Sequence, residues 1–138
     1  LVTHEHSDHA KGVALVCESI DKPFYSTYGT ARSAGWLEHP LWNCIESHDT
    51  FQINDLNIQT VVVPHDSQEP VQFVVSNSDF KIGVLSDLGS LTPYVIDAYQ
   101  NCHGLRVYYG QVFSMYWQTI LVIKITSSSL YKRNLLKY

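Results

Sequence analysis

The chain has 138 residues, of which 45% are hydrophobic and 16% charged, so it has the size and apolar content of one compact domain with a real core. Its formal net charge of −4 excludes a protein that binds polyanions by bulk charge alone. Disorder over most of the length is excluded too, as is a membrane span: the densest apolar run, Val112 to Ile123, is interrupted by Ser114, Gln118 and Thr119.

Cys17, Cys44 and Cys102 are odd in number, far apart and without a C-x-x-C pair. They form neither a disulfide framework nor a zinc ribbon, and no signal peptide is visible, so a reducing cytoplasm is expected. Charge is divided unevenly along the chain. Residues 1–100 hold all thirteen acidic side chains and four basic ones, whereas the last 38 residues hold five basic and none acidic. That shift marks a boundary just after residue 100.

In chain order, Leu1-Val2-Thr3 reads as the end of a buried strand running into His4-Glu5-His6-Ser7-Asp8-His9. Val13, Ala14, Val16, Cys17 and Ile20 then recur at helical spacing, with Ser7 the expected cap. Residues 23–27 predict a short strand, and Thr30 to Ala34 a brief helix stopped by Gly35. Residues 36–50 show no period and predict a loop with a helical turn. Phe51–Ile53 and Leu56–Val63 form strands around the turn Asn54-Asp55, and Val71–Val75 and Phe80–Leu85 form two more around Asn77-Ser78-Asp79. Thr92-Pro93 starts a helix. Strands outnumber helices in a mixed α+β order.

Four potential ligands fall within six residues: His4, His6, Asp8 and His9. On an extended segment His4 and His6 share a side and can hold one divalent ion; where the chain turns into the helix, Asp8 and His9 can face a second beside it. His65 and Asp87 each lie just past a hydrophobic strand, where binding residues collect. Trp36, Trp42, Phe51 and Phe73 are read as packing residues, and His39, His48 and His103 are given no role. No nucleophile elbow and no glycine-rich phosphate loop occurs.

The stretch Thr3 to His9, followed by Gly12, resembles the H-x-H-x-D-H signature of the metallo-β-lactamase-fold hydrolases. Val63-Pro64-His65-Asp66 and Gly83-Val84-Leu85-Ser86-Asp87-Leu88-Gly89 resemble that superfamily's next histidine motif and its bridging-aspartate strand, in the family's order. The wording is most similar to the bacterial VicX/YycJ-type branch of nuclease-like phosphodiesterases. The resemblance implies a partial αββα sandwich over residues 1–104. It also implies a first metal at His4, His6 and His65, a second at Asp8 and His9, and Asp87 between them.

The implied cofactors are two divalent ions, zinc foremost, with manganese or iron admissible for an all-nitrogen-and-oxygen set. Such ions acidify a shared water into a hydroxide nucleophile near neutral pH, with Asp8 or Asp87 as catalytic carboxylates that orient it and take its proton. A phosphodiester or nucleic-acid substrate follows, and no membrane partner.

Family members carry a sheet's worth of strands ahead of the first motif and a final ligand histidine after the last; here the motif opens the chain and no histidine follows His103. The expectation is therefore a domain truncated ahead of residue 1, with an atypical tail over 105–138 that is either out of frame or a β-rich arm. Its catalysis would be impaired. A non-catalytic, metal-binding remnant of the same scaffold is the competing class.

Overall fold

The computed structural model describes residues 1–108 and 121–122. Residues 109–120 and 123–138, which hold most of the expected atypical tail, lie outside the described residues.

The elements in order are α1 (Ser7–Ala10), α2 (Val13–Ser19), β1 (Phe24–Ser26), α3 (Tyr28–Ala34), β2 (Trp42–Cys44), β3 (Thr50–Ile53), β4 (Leu56–Val62), β5 (Val71–Ser76), β6 (Lys81–Ser86), α4 (Pro93–Ala98), β7 (Gly104–Tyr108) and β8 (Leu121–Val122). Strands β3 to β8 form one sheet in sequential order, antiparallel except for the β6–β7 pair. That parallel pair needs a crossover, and α4 supplies it. Strands β1 and β2 form a separate parallel pair.

The period of two along each strand sends side chains into two different cores. From β4 and β5, Ile58, Val71 and Phe73 pack with Ile45, Tyr25 and Phe51 toward the small sheet. Val61, Val63 and Val74 point the other way and join Leu85, Val95, Tyr99 and Leu105 beneath α4. A third cluster, Phe24, Ala31, Trp36 and Val2 with Trp42, lies between the small sheet and the helices α1 to α3. Three cores separate four layers: α4, large sheet, small sheet, N-terminal helices. The arrangement is the partial αββα sandwich of α+β class expected from the sequence, its second sheet reduced to two strands among the described residues.

Local chemistry explains the departures from the sequence reading. Ser7 is the first helical residue and not the cap; His6 occupies the cap position, and its carbonyl accepts from the His9 and Ala10 N–H groups. One long helix becomes two because the chain breaks at Lys11-Gly12, where Gly12 occupies the cap position of α2 and its carbonyl accepts from Val16 N–H. Helix α3 starts two residues before Thr30, behind Thr27. Thr30 is free for another partner, donating to the carbonyl of Gln68 at 3.3 Å. The region read as loop contains β2, whose three residues are too short and too exposed to show alternation. Leu1 to Thr3 is not assigned as strand, but Val2 N–H bonds Tyr25 O on the small sheet and Val71 N–H bonds Thr3 O from the large one. Thr92 caps α4 as expected, accepting from Val95 N–H at 3.2 Å.

Candidate metal centre

The pinned segment Leu1 to Thr3 delivers the histidine run to the junction of both sheets. His4 is fully buried there. Its Nε2 lies 3.2 Å from Nε2 of His65, which lies 3.2 Å from Nδ1 of His6. The rings meet edge-on, with centroids 4.6 to 4.8 Å apart. Tetrahedral zinc with Zn–N bonds near 2.0–2.1 Å sets its nitrogens about 3.3–3.4 Å apart, so the observed spacing suits a shared cation.

A second group gathers His4, His9 and Asp87. Oδ2 of Asp87 is 2.6 Å from Nε2 of His9, yet it is buried without a hydrogen-bond partner among the described residues. A buried carboxylate oxygen left in that condition is costly unless a cation completes it. Both donor groups therefore fit divalent ions by spacing and by donor type, and the buried Asp87 carboxylate adds a negative charge that a cation would balance. His4 belongs to both groups. Asp8 belongs to neither: its carboxylate is 69% exposed, at the rim, with Oδ2 3.5 Å from His9 Nε2.

Burial, reinforced by the neighbouring rings of His9, His65 and His6, pushes the pKa of His4 from 6.5 down to about 4. The ring is neutral at pH 7, which leaves a lone pair free for a metal. Two neighbours orient the rings, and neither was singled out from the sequence. Oγ1 of Thr3 lies 3.0 Å from Nδ1 of His4 and 3.2 Å from Nδ1 of His9. Asp66 Oδ1 lies 3.1 Å from Nδ1 of His65, directing that ring's Nε2 at the group. Both residues adjoin a histidine in sequence, and that adjacency is the signal that could have marked them.

The loops that carry His65 and Asp87 are fastened to each other and to the helices. Gly89 N–H donates to Pro64 O at 2.8 Å, an approach so close that a Cβ on Gly89 would stand 2.8 Å from that oxygen. Glu5 accepts from Gln68 N–H at 2.8 Å. Glu69, held at φ +57°, accepts the Gly29 N–H of α3 at 2.7 Å through its carboxylate. Beneath Asp87, the buried Gln72 donates to Ser86 O and accepts from Ser86 N–H. Asp87 itself turns off β6 at φ +45°, a left-handed conformation that Asp tolerates better than most side chains.

The histidines given no role stand apart from both groups: His39 pairs with Glu18, His48 with Tyr94, and His103 accepts the Lys81 N–H. Trp36 and Phe73 are buried in cores, Phe51 stacks on Tyr25, and Trp42 donates to Ser26 Oγ. Among the described residues no helix is long and apolar enough to cross a membrane.

The chain resembles known proteins both in sequence and in fold. The chain is 30% identical over 96 residues to an exodeoxyribonuclease YycJ of Bacillus anthracis, an alignment covering 64% of this chain and 35% of that protein. It is 24% identical over 113 residues to an exodeoxyribonuclease WalJ of Streptococcus pneumoniae, covering 78% of this chain and 42% of that one. The chain thus spans well under half the length of these curated relatives. Among solved structures, zinc-bound PqqB from Methylobacterium extorquens superposes with a TM-score of 0.64 at 17% identity, over 76% of this chain and 43% of that one. The family model of the beta-lactamase superfamily domain matches residues 1–116, and with the metallo-β-lactamase fold and the converging donors in place, the chain belongs to that superfamily.

Proposed function

We propose that this chain forms the metal-binding part of a hydrolase that cleaves phosphodiesters, with nucleic acid as the substrate class. The observation that carries the reading is the convergence of His4, His6 and His65 beside His9 and Asp87, around a buried histidine common to both groups. Two further features support the chemistry: Asp87 stands where a cysteine would favour a lactamase, and both curated relatives are named exodeoxyribonucleases.

Zinc or manganese held by these donors would supply Lewis acidity and a water acidified toward neutral pH. The chain's own residues divide the remaining work. Buried Asp87 and neutral His4 give the site a fixed, dry floor, so their positions do not relax as charge develops. Asp8 faces solvent beside His9, and its Oδ2 is the atom placed to take a proton from an attacking water and return it to bulk. Asp66 and Thr3 hold ring orientations. The three cysteines are free thiols, in keeping with a cytoplasmic setting.

The test is an assay of zinc- and manganese-supplemented protein on an activated aryl phosphodiester, a 3′-labelled DNA strand and a chromogenic cephalosporin. Metal-dependent phosphodiester cleavage, weak in this chain, that falls at least a further tenfold in Asp8→Asn, with no cephalosporin turnover, is the expected result. Lactam hydrolysis without phosphodiester cleavage contradicts the proposal.

A further inference from the structure

We infer that Thr3 is a positioning residue whose single hydroxyl orients the rings of His4 and His9 together, so that its loss weakens metal binding at both donor groups. The inference rests on the metal-site reading above and extends it to how the two groups are linked.

Thr3 Oγ1 is 3.0 Å from His4 Nδ1 and 3.2 Å from His9 Nδ1, while the opposite nitrogens face the donor groups: His4 Nε2 toward His65, His9 Nε2 toward Asp87. A neutral imidazole that offers Nε2 to a cation carries its proton on Nδ1. A hydroxyl oxygen accepts two hydrogen bonds, so Thr3 Oγ1 can receive both Nδ1–H groups at once, and in that arrangement both Nε2 lone pairs are exposed. If the hydroxyl instead donates to one ring, that ring's proton sits on Nε2 and closes it to metal. For His9 the closed tautomer would aim its Nε2–H toward Asp87 Oδ2, 2.6 Å away. The two states differ only in where Thr3 and one imidazole keep their protons.

Thr3 is well placed for this because its main chain is fixed independently of its side chain: Val71 N–H bonds its carbonyl, and Val2 N–H bonds Tyr25 O one residue earlier. Replacing the side chain therefore removes the hydroxyl without cutting the link between the sheets. Asp66 offers an internal contrast, since it orients His65 alone.

The experiment measures zinc binding to the wild-type chain, Thr3→Val, Thr3→Ser and Asp66→Ala by competition with a chromophoric chelator. Nitrogen-15 NMR of histidine-labelled, zinc-loaded wild type reads the tautomers directly. The expected result is two binding events in wild type, both weakened about tenfold or more in Thr3→Val, the range for loss of a ligand-orienting partner. Thr3→Ser restores both events, Asp66→Ala weakens only one, and NMR places protons on Nδ1 of His4 and His9. Weakening of one event only in Thr3→Val, no weakening, or failure of Thr3→Ser to restore binding would overturn the inference while leaving the metal sites intact. Should Thr3→Val not fold, the wild-type spectrum decides: an unprotonated Nδ1 on either ring refutes it. A wild-type chain that binds no zinc overturns the metal-site reading, and this inference with it.

Discussion

Asp87 Oδ2 lies 2.6 Å from Nε2 of His9, although one residue directly follows β6 and the other sits in α1 nearly eighty positions earlier. The contact brings a buried, otherwise unpaired oxygen to the group that His4 also joins. Asp87→Asn keeps a side chain that tolerates the left-handed φ of +45° and removes the charge. The expected outcome is loss of about one zinc equivalent with little change in melting temperature, whereas Asp87→Ala loses the same zinc and a further 1–2 kcal/mol or so through backbone strain. Elemental analysis paired with thermal melts separates the two effects.

Gln72 tests the support beneath that residue. Its side chain is 1% exposed, and its amide exchanges two hydrogen bonds with the Ser86 backbone at 2.6 and 3.0 Å. Gln72→Leu leaves a buried N–H and a buried carbonyl unpaired, and at about 1–3 kcal/mol each the loss should total roughly 2–6 kcal/mol in urea unfolding. Zinc affinity should fall too, because Asp87 follows Ser86 directly. An unchanged urea midpoint would show that β6 is held without this bond.

Gly29 packs against Gln68 and Glu69, in the loop that carries His65. A Cβ there would stand 2.7 Å from the Cβ of Glu69, so Gly29→Ala must displace either α3 or the loop that carries His65. The expected cost is about 1–3 kcal/mol, with weaker zinc binding even though every donor is present. Calorimetric zinc titration reads the second effect, and wild-type affinity in a destabilised Gly29→Ala would break the proposed link.

Acid should destabilise the metal-free protein through His4. Its pKa is pushed down by burial first and by neighbouring histidines next, from 6.5 in the unfolded chain to about 4 in the folded one. Between those values the unfolded chain binds the extra proton, so folding stability declines as pH falls through this window and is fully present above it. Urea midpoints in EDTA from pH 7.5 to 4.5 should drop for wild type and drop less for His4→Asn. A flat wild-type profile would contradict the sign.

Five of the six residues expected to meet, His4, His6, His9, His65 and Asp87, come together in the structure because their information is local, while Asp8 stays at the rim. Three histidines within six residues, and His65 and Asp87 just beyond apolar runs, point to the strand ends where the structure places them. Alternating apolar residues likewise located β4 to β6. What escaped depends on pairs distant in sequence or on elements too short for a period. Strand β2 gains its identity only from pairing with β1, and the start of α3 is set by Glu69, forty residues away. The sharing of His4 between two donor groups depends on the rotation of one ring, which no spacing rule encodes.

Zinc content reads both donor groups in one measurement. The wild-type chain, stripped with chelator, reloaded and desalted, should retain two zinc equivalents by elemental analysis. His39→Ala should match it, because His39 pairs with Glu18 and lies in neither donor group. His4→Ala, which removes a nitrogen donor of the group formed with His6 and His65, should lose about one equivalent while its circular dichroism still reports a folded chain. A folded His4→Ala protein that keeps wild-type zinc would contradict the account.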